Sequence, residues 1–399
     1  LKSADLIENF AHLGIALLLF LVGLSLDFRI LKEVRGIAVL AGVGEILVVS
    51  AIAFIIAIGF GFSSAVSLYI AAALAFSSAV VVIKLLSDKK ETDTLHGKIA
   101  LGIIIVEHFI AALFLMIIPV INSGSFLVIL FQLAKAIFLI LILFLFAKVV
   151  LFGVLSTAAK NQEILFLLSI GWALIIAALF GYLGFSVEIG ALLAGMALAQ
   201  SPYSLEMTGK IKGLRDFFVV SFFVFFGSKL VGPFNPGMVS QIIIFSLFIL
   251  IGKPLIVMSF MKFFGYKKKI NFLAGISLAQ ISEMSLILIL LGFTLGIVNQ
   301  QVMSMIIMIA LVTIFFSSYS IYYSKNLFNK FSRFLNIFDG KKIELGKISE
   351  KEYDIILFGY NRIGFSLAKA FDSANKKYLV VDYNPKTVLS LSNKGVDCI

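Results

Sequence analysis

Residues 74–86, LAFSSAVVVIKLL, and residues 101–116, LGIIIVEHFIAALFLM, are two apolar stretches that carry ionisable side chains. Lys84, Glu107 and His108 lie inside these stretches or at their edges. A charged group at the centre of a bilayer costs about 3 kcal/mol on insertion scales, and such groups usually mark an ion or proton path. The pair of stretches therefore predicts the working centre of a secondary transporter.

The composition indicates a membrane protein with many spans. The chain has 399 residues, of which 61% are hydrophobic and 14% are charged, and its mean hydropathy is +1.09. Soluble domains are closer to half apolar and a quarter charged. The net charge of +11 lies in the links between apolar runs, which predicts membrane orientation rather than nucleic-acid binding. A single cysteine excludes an intramolecular disulfide and a cysteine-based zinc site. No metal site and no covalently bound cofactor are expected.

Apolar runs of about twenty residues recur along the chain and are each long enough to cross a bilayer. They predict eleven spans at 9–27, 36–60, 65–86, 99–120, 126–151, 163–183, 187–200, 214–231, 237–261, 271–293 and 300–323. Alternate links carry fourteen Lys and Arg in total, whereas the links between them carry none. The positive-inside rule then places the basic links and the C-terminal tail in the cytoplasm.

Polar breaks occur at mid-span in both halves of the apolar region. Ser77 and Ser78 interrupt the third span, and AQISEMS (279–285) interrupts the tenth. A helix can open at such a point and offer hydroxyls and free carbonyls. Two broken helices in corresponding positions are typical of an inverted-repeat transporter with its site near the middle of the membrane. The alternative is that these polar side chains only form hydrogen bonds between intact helices.

The tail changes in composition after the last span. Residues 1–324 are expected to form the transmembrane domain, and residues 325–352 an amphipathic and polar linker. The linker helix either lies along the inner membrane surface or is a solvated connection. Residues 353–399 read as strand, turn, helix and strand, which is the beginning of a cytoplasmic Rossmann-like domain.

The turn of this domain contains the residues expected to bind a nucleotide. Gly359 and Gly364 flank the turn, Asn361 replaces the middle glycine of G-x-G-x-x-G, and Arg362 follows it. Asp382 ends the second strand, where such folds place the carboxylate that binds ribose. The predicted ligand is a regulatory adenine nucleotide (AMP, ATP or NAD(H)), and Asn361 slightly favours a mononucleotide.

Several blocks of the sequence resemble one family. These blocks are FLVGLSLDFR (20–29), the third span with its following link, the stretch from 190 to 227, LAQISEMSLIL (278–288), and FGYNRIG with VVDYNP in the tail. They resemble the Kef-type branch of cation:proton antiporters, membrane exchangers often fused to a potassium-transport nucleotide-binding domain. The resemblance covers nearly the whole chain.

The resemblance implies an all-α polytopic fold of two inverted repeats with two crossed broken helices, followed here by a partial C-terminal α/β domain. It implies thirteen spans, so that two spans would precede residue 1. It further implies a homodimer in the lipid of a prokaryotic inner membrane that exchanges K⁺ or Na⁺ for H⁺, and no enzyme activity. The family's ion-binding pair, a polar residue followed by an aspartate, matches Glu107 and His108.

The residues expected at the ion site are Glu107, His108, Ser77 and Ser78. Neighbours on a helix point about 100° apart, so Glu107 and His108 cannot both face one cavity squarely. Alkali cations prefer oxygen ligands, which favours Glu107. His108 is then either a titrating switch or the mark of a protein that has lost exchange. His96, in a charged link, is expected to be solvated.

Four further charges are expected to support this core. Glu45 stands alone in its span and needs a partner, either Lys84 or Lys253. By resemblance Lys253 matches a lysine near the ion site, and Pro254 beside it is expected to kink the span, although a lysine snorkelling to the surface is the alternative. Glu283 and Lys84 are expected to offset the ends of half-helices.

The favoured function is therefore regulated exchange of a monovalent cation for protons. Because the aspartate is absent, two other classes stay open. One is a ligand-gated conduction protein, and the other is a membrane sensor that transports nothing.

Overall fold

The structure is a computed structural model that describes residues 14–26, 28–121, 126–230, 236–340, 353–360 and 362–382, with short pieces at 387–388, 390–391 and 395–398. Its helices in chain order are α1 (Gly14–Leu24), α2 (Phe28–Gly59), α3 (Ser64–Ala75), α4 (Ala79–Asp88), α5 (Leu95–Ile121), α6 (Phe126–Phe146), α7 (Phe152–Ala158), α8 (Gln162–Tyr182), α9 (Val187–Leu198), α10 (Ser204–Ser228), α11 (Pro236–Leu247), α12 (Lys253–Phe263), α13 (Lys268–Ser277), α14 (Glu283–Thr294), α15 (Gln300–Tyr322), α16 (Ser324–Phe331) and α17 (Arg362–Ser373).

Seven helical segments among the described residues are long and apolar enough to cross a membrane, and four shorter apolar helices accompany them. Many of their large apolar side chains face outward, such as Leu47, Ile55 and Phe131, each at least 65% exposed. Lipid is the environment in which such an apolar exterior is stable. The predicted polytopic helical fold is confirmed.

Two of the spans are interrupted at the positions predicted from their serines. The chain leaves helical geometry at 76–78, between α3 and α4, and at 278–282, between α13 and α14. Ser78 caps α4 by accepting a hydrogen bond from the N–H of Val81, and Ser282 caps α14 through the N–H of Met284. The serines therefore begin new helices, because their hydroxyls satisfy N–H groups that have no partner within the helix.

A third irregularity lies beside Pro254. The helix widens into a π-helical turn at Phe248–Gly252, directly before Lys253. Proline has no N–H to continue the regular ladder, and a π turn absorbs that defect. The π turn lies directly before Pro254, and the kink at this residue stays a prediction.

Close approach of backbones fixes the packing of α1 against α9. A Cβ on Gly23 would collide with the backbone of Leu192 and Met196, and a Cβ on Gly195 would collide with the backbone at Phe20. Small residues at such crossings let two membrane helices come into direct contact.

Ion pairs and hydrogen bonds join the basic links at one end of the helices. Lys98 pairs with Glu33 at 2.6 Å. The Nζ of Lys89 donates to the carbonyl of Ile321 and the hydroxyl of Ser324, both at 2.8 Å. These contacts place two basic links and the junction of α15 and α16 at the same end of the helices, as the charge alternation predicts.

The segment after α15 folds back onto α12 and α13. It consists of α16 and a 3₁₀ turn at Phe334–Phe338. Leu335 packs with Met258 and Phe272 in a small apolar cluster, while the Nζ of Lys268 donates to Asn336. The part of the predicted linker up to Phe338 is therefore attached to α12 and α13, and residues 341–352 lie outside the described residues.

The C-terminal piece has the predicted order of strand, turn, helix and strand. Its strands β1 (Ile355–Phe358) and β2 (Tyr378–Val381) are parallel, with Ile355 opposite Tyr378, and α17 connects them. A βαβ unit of this kind is the beginning of a nucleotide-binding sheet.

Candidate ion-binding site

Glu107 lies at the opening of the first broken helix. Its carboxylate accepts a hydrogen bond from the backbone N–H of Ser77 at 2.5 Å, and Ser77 Oγ lies 3.1 Å from its other oxygen. The same hydroxyl lies 3.3 Å from the carbonyl oxygen of Leu278 in the second break. Glu107 and Ser77 are fully buried. The break thus supplies the N–H that holds the carboxylate, since an intact helix would have used it internally.

Lys253 and Glu45 form a buried pair next to this carboxylate. The Nζ of Lys253 lies 3.4 Å from Glu45 Oε1, and both side chains have no exposure. The same Nζ donates to the carbonyl of Ala75 at 2.8 Å. Ala75 is the last residue of α3, so the ammonium satisfies a carbonyl left free at the negative end of a half-helix.

The three ionisable groups form one electrostatic unit. Glu45 interacts with both Lys253 and Glu107, and Glu107 also interacts with Lys253. With every group ionised, the unit carries two negative charges and one positive charge. Within the described residues, neither oxygen of Glu45 accepts a hydrogen bond.

Glu283 connects the two breaks. It is the first residue of α14, and its Oε1 accepts a hydrogen bond from the Oγ of Ser78 at 2.5 Å. Ser282 Oγ lies 3.3 Å from its second oxygen. A carboxylate at the start of a helix opposes the positive end of the helix dipole. Glu283 therefore occupies the place expected for an acid that offsets a half-helix.

His108 is fully buried but is bonded to its own helix. Its Nδ1 lies 2.9 Å from the carbonyl oxygen of Ile104. A carbonyl oxygen only accepts, so this nitrogen carries the proton, and Nε2 has no hydrogen-bond partner in the part of the chain that the structure describes. No hydrogen bond joins the imidazole to Glu107 among the described atoms.

Two expectations about charged residues are wrong. Lys84 is exposed on α4, so it does not support the buried core and is not the partner of Glu45. The buried side chains of α4 are Ala79, Val82 and Leu86, which leaves Lys84 on the other face. His96 is only 9% exposed, because the link folds back and brings Glu91 to 3.3 Å from its Nε2.

Sequence reasoning overlooked one buried polar side chain in the second break. Gln280 has no exposure; its Nε2 donates to the carbonyl of Ser277, and its Oε1 has no partner among the described residues. The sequence did contain a sign of its role, because Gln280 lies inside the polar break AQISEMS (279–285). The part of the chain that the structure describes contains no cluster of three or more His, Cys, Asp or Glu that would hold a metal ion.

The turn of the C-terminal piece has the geometry of a glycine loop. Gly359 has a φ of +87°, which favours glycine, and its N–H donates to Val381. Asp382 Oδ2 accepts a hydrogen bond from the N–H of Tyr360 at 2.6 Å, so Asp382 also holds the loop. Gly364 lies in the first turn of α17. Asn361 and the side chain of Arg362 lie outside the described residues.

Comparison with known proteins identifies two regions. Residues 1–322 match the family described as "Sodium/hydrogen exchanger, transmembrane". Residues 355–399 match the TrkA-N domain, a nucleotide-binding fold.

Curated relatives include plant and bacterial proteins. "K(+) efflux antiporter 6" of Arabidopsis thaliana is 28% identical over 301 residues, which cover 71% of this chain and 49% of the relative. "Putative cation/proton antiporter YbaL" of Escherichia coli (strain K12) is 25% identical and covers the whole chain and 74% of the relative. The chain spans about half the length of the plant relatives it matches.

A solved structure shares the fold. The sodium proton antiporter MjNhaP1 from Methanocaldococcus jannaschii matches with a TM-score of 0.57 over 84% of this chain and 86% of that chain, at 16% identity. At that identity the similarity concerns the fold alone, and it confirms the predicted antiporter fold.

Proposed function

Because the chain belongs to the sodium/hydrogen exchanger family, we propose that it exchanges a monovalent cation for protons, under the control of its TrkA-N domain. The observation that carries this proposal is the buried carboxylate of Glu107, held by the N–H of Ser77 where a helix opens. A carboxylate can bind an alkali cation through its oxygens or bind a proton instead, so the two compete for one site.

The proposed cation is K⁺. Several relatives carry the name K(+) efflux antiporter, including "Putative K(+) efflux antiporter KefB" of Alkalimonas amylolytica, which is 24% identical over 97% of this chain. Ligands available at the site are the oxygens of Glu107, the hydroxyl of Ser77 and the carbonyl of Leu278, all of which suit an alkali cation.

The proposed setting is a homodimer in a prokaryotic cell membrane, with the basic links and the C-terminal domain in the cytoplasm. The two broken helices would move together as one body, since Ser78 and Glu283 join them. An adenine nucleotide bound at the glycine loop would regulate that movement.

Everted membrane vesicles test this function. Addition of K⁺ or Na⁺ is expected to release protons and restore the fluorescence of a pH-sensitive dye. Glu107→Gln should reduce the rate at least tenfold, while Glu163→Gln, which changes an exposed glutamate at the start of α8, should not.

The alternative functions give different results in the same vesicles. Cation flux without proton movement would identify a conduction protein, to which the histidine in place of aspartate points. Absence of both fluxes would identify a sensor. Unchanged exchange by Glu107→Gln would place the site elsewhere.

A further inference from the structure

We propose that Glu45 is the second carboxylate of the exchange site, so that the cluster of Glu45, Glu107 and Lys253 holds one net negative charge, which either a monovalent cation or a proton neutralises. This inference rests on the proposed function and assigns to Glu45 the part that the absent aspartate at position 108 would otherwise play.

Burial and the lack of partners single out Glu45. It is the only ionisable residue between Gly36 and Gly59, it has no exposure, and neither of its oxygens accepts a hydrogen bond among the described residues. Among the described residues, its charged neighbours are Lys253, whose Nζ lies 3.4 Å from Oε1, and the carboxylate of Glu107. A buried carboxylate left with so few ligands is costly unless another positive group reaches it.

The charges of the cluster do not balance without such a group. Lys253 offers one positive charge against the two carboxylates, and its ammonium is also engaged by the carbonyl of Ala75. The other titratable groups nearby have their own partners: Glu283 of α14 is bonded by Ser78, and His108 of α5 bonds its own helix. One monovalent positive charge is therefore missing, and a cation and a proton both supply it.

Helix packing explains why the second carboxylate can come from α2. A Cβ on Gly42 would lie 3.2 Å from Val106 Cγ1 and 3.5 Å from the carbonyl oxygen of Ile103, so α2 and α5 approach closely one turn before Glu45 and Glu107. Side chains of neighbouring helices can then face each other. Adjacent residues of one helix, such as 107 and 108, diverge by about 100°.

The exchange step conserves charge. As the cation leaves, a proton from water adds to a carboxylate oxygen of Glu45 or Glu107, and in the reverse direction the cation displaces that proton. The cluster is neutral in both loaded states and negative only when it is empty, which is the state that burial disfavours most.

The test uses the full chain purified into liposomes, with exchange driven by K⁺ or Na⁺. Glu45→Gln leaves Glu107 and Lys253 as a balanced pair, and the maximal rate should fall at least tenfold. The matched control is Glu33→Gln, which alters an exposed glutamate of the same helix and should keep the parental rate.

A second substitution separates charge balance from structural support. In the double variant Glu45→Gln with Lys253→Gln, Glu107 is the one remaining charge of the cluster, so the cluster again has one net negative charge. The exchange rate should therefore be at least threefold higher than that of Glu45→Gln. If Glu45 had only a structural role, the double variant would exchange no faster than Glu45→Gln. Glu45→Asp retains the charge at a shorter reach, and we expect a raised KM for the cation with a maximal rate near that of the parent.

Two results would overturn the inference. One is a parental exchange rate in Glu45→Gln, and the other is a double variant whose rate does not exceed that of Glu45→Gln. If Glu45→Gln does not fold, a parental KM for the cation in Glu45→Asp would overturn the inference instead. A parent chain that moves no protons in response to cations would contradict the proposed function itself, which is a different failure.

Discussion

Ser78 Oγ donates a hydrogen bond of 2.5 Å to Glu283 Oε1 and thereby joins the openings of the two broken helices. Ser78 caps α4, and Glu283 begins α14. The positive ends of two half-helices thus meet with one carboxylate between them, which stabilises both dipoles. Glu283 therefore supports the crossing of the two helices, and the exchange that we propose is assigned to the separate cluster of Glu45, Glu107 and Lys253.

Ser78→Ala should lower the stability of the crossing. The substitution removes the cap of α4 and leaves a buried oxygen of Glu283 without its donor, which together cost about 1–3 kcal/mol. Thermal unfolding of the purified protein is expected to shift to a lower temperature. Ser156→Ala is the control, because that exposed hydroxyl bonds only its own helix. Equal melting temperatures for Ser78→Ala and Ser156→Ala would show that the hydrogen bond between Ser78 and Glu283 does not stabilise the protein.

Gly195→Ala should disrupt the contact between α9 and α1. The added Cβ would collide with the backbone at Phe20, and a backbone cannot move aside as a flexible side chain does. The expected result is a loss of at least about 1 kcal/mol. Gly171→Ala in α8 meets nothing within 4 Å and should be neutral or stabilising by up to about 1 kcal/mol through helix propensity. A melting series that ranks the two variants in the opposite order would contradict this packing.

The local features of the site could be predicted from the sequence. Ser77, Ser78 and the AQISEMS break are polar interruptions of apolar runs, and Glu107 is a charge within one. Each is visible without knowledge of the neighbouring helices, because the cost of burying a polar group acts on the residue itself. The C-terminal βαβ piece was predicted for a similar reason, since its order of elements is a local pattern.

The pairing of charges could not be predicted in the same way. Glu45 had two candidate partners, Lys84 and Lys253, and the choice depends on which helices pack together and on the direction in which each side chain points. Lys84 points away from the core, whereas Lys253 reaches the end of α3. The burial of His96 likewise depends on the fold of a link and on contact with Glu91.

Glu91→Gln should loosen the attachment of α16 and reduce the pH dependence of stability. Glu91 lies within 3.3 Å of Lys325, Lys89 and His96. Burial raises the pKa of Glu91, but the hydrogen bonds from Lys325 and Lys89 outweigh it and hold the pKa below its ordinary value. The contribution is therefore complete above the ordinary glutamate pKa of about 4.3 and is lost as the pH falls through the lower pKa of the folded protein.

The measurement for Glu91 is the melting temperature from about pH 6 down to about pH 3, the range in which glutamates titrate. The parent should lose more stability on acidification than Glu91→Gln does. Asp93→Asn changes an exposed acid in the same link and should follow the parent curve. Identical acid slopes for the parent and Glu91→Gln would show that the cluster does not stabilise the fold.

The last prediction concerns the glycine loop of the C-terminal piece. Gly359 turns the chain at positive φ, and the free N–H groups at the start of a helix such as α17 attract phosphate. Asp382 stands at the end of β2, where ribose hydroxyls would donate to it, and it also fixes the N–H of Tyr360. We expect the full-length protein to bind an adenine nucleotide saturably in calorimetry, and Asp382→Ala to weaken binding at least tenfold, or about 1.4 kcal/mol.

Asp397→Ala removes another carboxylate of the same C-terminal piece and serves as the control, so it should bind the nucleotide as the parent does. Asp382 holds the loop and is also the residue that we expect to bind ribose. Asp382→Asn can still accept the hydrogen bond from the N–H of Tyr360, so it should bind the nucleotide more tightly than Asp382→Ala. If Asp382→Ala, Asp382→Asn and Asp397→Ala all bound the nucleotide with the same affinity, the nucleotide would not contact the end of β2.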